Sequence, residues 1–240
     1  MKELLGLSGK TILVTGCEGM LGTAFTEILK NLTDVNLEAC GHHHLDVTDY
    51  KSVLQFADVS PDIVIHCAAE VDAERCQKSP DECHKVQVEG TRNIVALSKA
   101  TGAKILYPQS FLIFDGSVLP ILETTSPSPI SIYGNGNQTR SFCYVDDLVN
   151  GLILLLNSDY NRPVNLGNPD EYSMIEFANL IINKIETKSN IIFNPLPEDD
   201  PKQRCPDISL AKNTFGWQPE ISLEAGLDKT IEWYSKIVKD

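Results

Sequence analysis

Residues 11–22 read TILVTGCEGMLG, and this stretch decides the architecture. Thr11 to Thr15 is a short, β-branched, apolar run between a lysine and a glycine, the mark of a parallel strand buried on both faces. Glycines follow at 16, 19 and 22, and Leu21, Phe25, Ile28 and Leu29 then recur at helical spacing between Met20 and Asn31. At such a junction Gly16 permits the tight turn, Gly19 lets the backbone approach a pyrophosphate, and Gly22 allows close packing of helix on sheet. The N–H groups at Met20 and Leu21, with the helix dipole behind them, attract phosphate. Glycines alone mark ordinary turns; at the first βα junction they read as a dinucleotide-binding loop.

Outward from this junction, strand and helix signals alternate. Val35 to Cys40 and Ile63 to Cys67 read as further strands, with a short helix over Tyr50 to Ala57 between them. A long helix is expected from Glu82 to Ala100, with Val86, Ile94, Val95 and Leu97 in the core, then a fourth strand over Lys104 to Tyr107. This alternation predicts an α/β fold, a Rossmann-like doubly wound parallel sheet with right-handed crossovers. The stretch from Asp115 to Arg140 reads as a long loop, rich in Pro, Ser, Thr, Gly and Asn. Helical spacing resumes over Tyr144 to Leu156, with Asp146 and Asp147 in the first turn, where carboxylates suit the dipole. Pro163 to Gly167 reads as a short strand, Ser173 and Glu176 as a capping box for a helix to about Ile185, Asn190 to Phe193 as a strand, and Leu223 to Lys239 as a terminal helix. We expect a dinucleotide-binding domain over residues 1–133 and a smaller C-terminal α/β lobe over 134–240.

The 240 residues carry 20 Lys and Arg against 33 Asp and Glu, a formal charge of −13. So acidic a surface repels phosphate backbones and anionic lipid, which argues against nucleic-acid or membrane partners. Small anions remain ligands where basic side chains converge. MKELLGLSGK at the N-terminus lacks an apolar signal-peptide core, and Leu152 to Leu156 is too short to cross a bilayer, so the expected location is cytoplasmic. Seven cysteines, scattered without a repeated short spacing, are expected as reduced thiols. No metal is expected: His42, His43 and His44 read as a solvated loop, and Cys83 and His84 point apart on a helix.

The end of the second strand ordinarily separates NAD from NADP, an acid there accepting from the ribose hydroxyls and an arginine favouring the extra phosphate. Cys40-Gly41-His42-His43-His44 offers neither, so NAD or NADP stays open. Asp46 lies near the adenine or caps the next turn. Cys67, Ala68 and Ala69 close the third strand with side chains small enough for a cofactor to approach.

The TGxxGxxG loop, LDVTD at 45–49, HCAA at 66–69 and VEGTRN at 88–93 stand in an order that resembles the extended short-chain dehydrogenase/reductase family acting on nucleotide sugars. Through YPQSFLIFDG at 107–116, the first half is similar to dTDP-4-dehydrorhamnose reductases and to their non-catalytic relative, the regulatory β subunit of methionine adenosyltransferase. GNGNQTRSFCYVDDL at 134–148 and DDPKQRCPD at 199–207 look like UDP-glucuronate decarboxylases. The resemblance implies NAD or NADP bound by Gly16, Gly19, Met20, Leu21, Gly22, Asp46, Val47, Cys67, Ala68 and Ala69. It implies Ser110 polarising a sugar carbonyl, Tyr133 exchanging the proton, and Arg140 and Arg204 gripping the diphosphate of a dTDP- or UDP-linked sugar. The chain departs from the family in three places. Asn137 stands where a lysine should follow Tyr133 by four residues, as though a block were absent between Tyr133 and Gly134; Ser110-Phe111-Leu112 replaces the decarboxylases' Thr-Ser-Glu; and Gln87 replaces an Asn. The expected activity is NAD(P)-dependent reduction of a 4-keto nucleotide sugar. The alternatives are a decarboxylase-like enzyme and a non-catalytic binding protein, with a homodimer as a further expectation.

Overall fold

Strand β1 (Thr11–Thr15) carries β2 (Asn36–Cys40) on one side and β3 (Ile63–His66) on the other, and β4 (Lys104–Leu106) pairs with β3. All pairs are parallel, so the order is β2-β1-β3-β4. The computed structural model describes residues 6–71, 73–108, 130–187, 189–195 and 203–237. The chain leaves β1 through helix α1 (Met20–Lys30) to β2, then returns through α2 (Tyr50–Gln55) to the opposite side of β1. The winding therefore reverses at β1, and a crevice opens beyond the carboxyl ends of β1 and β3, where ligands bind in open α/β sheets.

The two central strands are buried on both faces because their middles are apolar: Ile12, Leu13 and Val14 of β1 and Val64 and Ile65 of β3 have no exposed surface. On one side Phe25 and Leu29 of α1 are fully covered; a second cluster joins Leu13 and Val64 to Val53 of α2 and to Ile94 and Leu97 of α5 (Thr91–Thr101). The single long helix expected over 82–100 is three pieces: α4 (Pro80–His84), a π-helical turn (Lys85–Gly90) and α5. Val95 is exposed, not core, because the π-helical turn shifts the register of the apolar face.

Cys76 lies on α3 (Ala73–Lys78) and forms a disulfide with Cys83 on α4, which corrects the expectation of reduced thiols. Ser79 and Pro80 reverse the chain between the two short helices. This brings the two Cα atoms to 5.2 Å, the ordinary span of a disulfide that spacing along the sequence does not disclose.

The contacts divide the chain into two units. One is Met1–Ser117 with Leu152–Asp159; the other is Val118–Gly151 with Tyr160–Asp240. In the second unit β5 (Ile130–Tyr133) pairs in parallel with β8 (Ile191–Asn194). Strand β6 (Thr139–Ser141) lies antiparallel to β7 (Glu171–Ser173) and parallel to β9 (Gln203–Arg204). The expected loop over 115–140 thus contains a strand. Pro163 to Gly167 joins no ladder, Pro163 having no N–H to give. Helix α6 (Val145–Leu156) buries Asp147, whose Oδ2 accepts from the N–H groups of Glu220 (3.1 Å) and Ile221 (2.8 Å). Trp217 donates its Nε1 to the Asp147 carbonyl at 3.0 Å and packs on Gly151. Ser173 caps α7 (Met174–Ile185), with Glu176 completing the capping box. Helices α8 (Ser209–Phe215) and α9 (Leu223–Ile237) finish the unit. Among the described residues no helix is long and apolar enough to cross a membrane.

Candidate functional site

The glycine loop sits at the crevice, and each glycine has a distinct steric account. Gly16 has φ +66°, and a β-carbon there would lie 2.7 Å from the backbone N and Cα of Ala68, so the loop rests directly on the end of β3. A β-carbon at Gly22 would fall on the Gly16 carbonyl and 2.8 Å from Cys17 Cα. Gly19 is different: the nearest atom to an added β-carbon is 3.5 Å away, an ordinary contact. Among the described residues nothing requires glycine at 19, and the space over it could hold a phosphate. Gly19 is also the N-cap of α1, and no side chain caps it. The loop is fastened from its protein side by Cys17 N–H to the Cys40 carbonyl (3.2 Å), Gly19 N–H to the Gly16 carbonyl (3.1 Å) and Thr23 Oγ1 to the Cys17 carbonyl (3.0 Å). Met20 is largely exposed and Leu21 half-buried at the same helix start.

Beneath the loop runs a directed hydrogen-bond chain. Thr91 Oγ1 donates to the Gln87 carbonyl at 2.7 Å, so it can only accept from His66 Nε2 at 3.2 Å. His66 Nδ1 is then the acceptor for Thr15 Oγ1 at 2.8 Å, and Thr15 Oγ1 accepts from Ala68 N–H at 3.3 Å. The ring is 1% exposed, stacks on Tyr107 with centroids 5.5 Å apart, and its pKa is pushed down to about 4 by burial. His66 is therefore a neutral strut joining β1, β3 and the central helix. Gln87 adds a tie from its Nε2 to the Glu70 carbonyl at 2.9 Å.

Cys67 is a thiol held in its neutral form, burial pushing its pKa up to about 12, and its N–H bonds the Thr15 carbonyl at 3.2 Å. Ala68 is half-buried and Ala69 exposed. Asp46 caps a turn: its Oδ1 accepts from Thr48 N–H (2.9 Å) and Thr48 Oγ1 (2.8 Å). Burial raises its pKa, but those two bonds and the charge of His42 outweigh it and hold the carboxyl below its usual range. Val47 packs inward against Gly90, and its carbonyl accepts from Asn93 Nδ2 at 2.9 Å. Glu18, which the sequence reading passed over, lays its carboxyl group against Gly41 at the end of β2. The available signal was that glycine, which opens the turn at 42–44 without a positive φ.

Ser110 lies outside the described residues. Tyr133 ends β5 and is followed by a turn, with Gly134 at φ +69°, Gly136 at φ +77° and Asn137 N–H bonded to Asn135 Oδ1 at 3.1 Å. Asn137 is thus in a turn rather than one helical turn beyond Tyr133. Arg140 is buried in β6 and donates Nη1 to the Thr139 carbonyl at 2.7 Å. The parallel register of β6 and β9 sets Arg140 directly opposite Arg204, two residues 64 apart in sequence brought to one place. Glu171 ties the three strands together, accepting from Thr139 Oγ1 (2.5 Å) and Gln203 Nε2 (2.6 Å).

A family model described as the RmlD substrate binding domain matches residues 10–141, more than half of the chain, and one described as GDP-mannose 4,6 dehydratase matches 118–230. UDP-glucuronic acid decarboxylase 1 of Danio rerio is 30% identical over 306 residues, covering 95% of this chain and 73% of the relative. The chain belongs to the extended short-chain dehydrogenase/reductase family. Solved structures with the same fold include the UDP-glucose 4-epimerase of Thermotoga maritima, solved with UDP-glucose (TM-score 0.80, 18% identity, 95% of this chain and 99% of that one). The dTDP-4-dehydrorhamnose reductase of Bacillus anthracis, solved with NADP, has a TM-score of 0.72 at 22% identity, over 93% of this chain and 98% of that one. The alignment with the zebrafish decarboxylase is longer than this 240-residue chain, so that relative carries residues with no counterpart here.

Proposed function

We propose that this chain is an NAD(P)-binding nucleotide-sugar oxidoreductase whose reaction class is reduction of a 4-keto, dTDP- or UDP-linked sugar. The observation that carries the reading is the cradle over Gly19 at the reversal point of the sheet, open on the ligand side while the loop is fastened on the protein side. Gly16, Gly19 and Gly22 with the N–H groups of Met20 and Leu21 would hold the pyrophosphate, and Ala68 and Ala69 would line its approach. A nicotinamide bound there supplies hydride exchange with the sugar carbon. Ser110 would donate a hydrogen bond to the carbonyl oxygen, and Tyr133 would give up its phenolic proton to the same oxygen. A phenol with a pKa of about 10 gives up that proton poorly at neutral pH without a nearby cation. Arg140 and Arg204 would bind the diphosphate through charge-assisted hydrogen bonds, offsetting the charge of −13 locally.

A second reading, a cofactor- and sugar-nucleotide-binding protein without turnover, is favoured by one observation: the backbone after Tyr133 is a turn, so neither Asn137 nor a lysine placed there projects from a helix beside the phenol. The test is a fluorescence titration with NADH and with NADPH, then turnover assays with 4-keto nucleotide sugars. Saturable binding with turnover establishes the reductase. Saturable binding without turnover, unchanged in Asn137→Lys, establishes the second reading. A folded chain that binds neither dinucleotide refutes both.

A further inference from the structure

The second strand ends in Cys40-Gly41-His42-His43-His44, with no acid and no arginine to read the adenosine end of a dinucleotide. The structure supplies an acid from another part of the chain. Glu18, within the glycine loop, folds over the end of β2, and a β-carbon at Gly41 would fall on its carboxyl group, 2.7 Å from Oε2. A side chain at Gly41 would have to push this carboxyl group, the flexible end of an exposed side chain, out of its place. We propose that Glu18 is the carboxylate that reads the adenosine ribose and makes this site selective for NAD(H) over NADP(H); this rests on the cofactor reading above.

The chemistry follows from what surrounds it. At this edge of a doubly wound sheet the ribose sits beside the strand end, and a carboxylate accepts from its adjacent 2′ and 3′ hydroxyls. A 2′-phosphate would replace a donor with a group of charge about −1.5 to −2 facing another anion. Along the glycine loop and the edge of β2, residues 16–22 and 31–50 contain no lysine or arginine to offset that repulsion. Asp46 lies beyond the strand end and spends its Oδ1 on Thr48.

The experiment is equilibrium binding of NADH and of NADPH to the full chain at pH 8, followed by fluorescence, for the parent, Glu18→Gln and Gly41→Ala. Gly41→Ala leaves every charge in place and displaces the carboxyl group, so it tests position rather than charge. Circular dichroism and Tm establish that each protein is folded. The parent should favour NADH about tenfold or more, and both variants should narrow that ratio by about tenfold. Binding of both dinucleotides with a ratio that neither variant changes, or a parent preference for NADPH, overturns the role of Glu18 and leaves the cofactor reading standing. Binding of neither by the folded parent overturns the cofactor reading and this inference with it.

Discussion

His66 gives the first unit a pH dependence whose size can be worked out. Its ring is 1% exposed between Thr15 and Thr91, and burial lowers its pKa to about 4, against 6.5 when the chain is unfolded. Because the folded value is the lower one, the unfolded chain takes up a proton that the folded chain refuses. The stabilisation is fully present above about pH 6.5 and is lost progressively as pH falls toward 4. Between pH 7 and pH 5 the linkage relation gives a loss of about 2 kcal/mol, or about twentyfold in the opening equilibrium. The assay is hydrogen exchange of the β1 and β3 amides, corrected for the pH dependence of intrinsic exchange, in the parent and in His66→Gln. Parent protection should fall about twentyfold from pH 7 to pH 5, and that of His66→Gln should stay nearly flat whatever its absolute value. Equal slopes in the two proteins, or a flat parent, would refute the argument that a neutral, directed chain through His66 joins the strands.

Three further outcomes are expected. Gly19→Ala should fold and melt like the parent yet bind NADH at least about tenfold more weakly, because only the ligand needs that space; Gly22→Ala should in addition lose about 1–3 kcal/mol of stability, since its β-carbon meets the Gly16 carbonyl. A Gly19→Ala protein that binds NADH as the parent does would remove the cradle argument. Asp147→Ala should destabilise the second unit by about 3 kcal/mol, by leaving the N–H groups of Glu220 and Ile221 without their acceptor. The blue-edge fluorescence of buried Trp217 reports it in a urea titration, and an unchanged midpoint would count against the role given to the carboxylate. Alkylation of the unfolded, unreduced chain should label five of the seven cysteines, sparing Cys76 and Cys83; labelling of all seven would show that pair to be reduced.

The strand-to-helix junction at 11–31 was legible because its information is local. Apolar period, glycine placement and the absence of a cap all lie within twenty or so residues, and α1 begins at Met20 where the spacing puts it. Ser173 and Glu176 were legible for the same reason, both halves of the capping box lying three residues apart. Strands β6 and β9 were not, since TRS and QR carry no apolar alternation and exist only because partners complete their ladders. Cys76 and Cys83 were misread because a disulfide depends on the chain reversal at Ser79 and Pro80, not on residue type.

By itself, then, the sequence determined the alternation of strands and helices, the glycine loop and the family motifs, each encoded in short-range period and spacing. Only the tertiary structure decided what those elements bring together. It set the Glu18 carboxylate against Gly41 and put His66 between two threonines from other elements. It aligned Arg140 with Arg204 and gave Asn137 a turn in place of a helix. These are meetings of residues remote along the chain, or backbone choices made by neighbouring strands, and their energies come from burial and hydrogen bonding that exist only once the chain has folded.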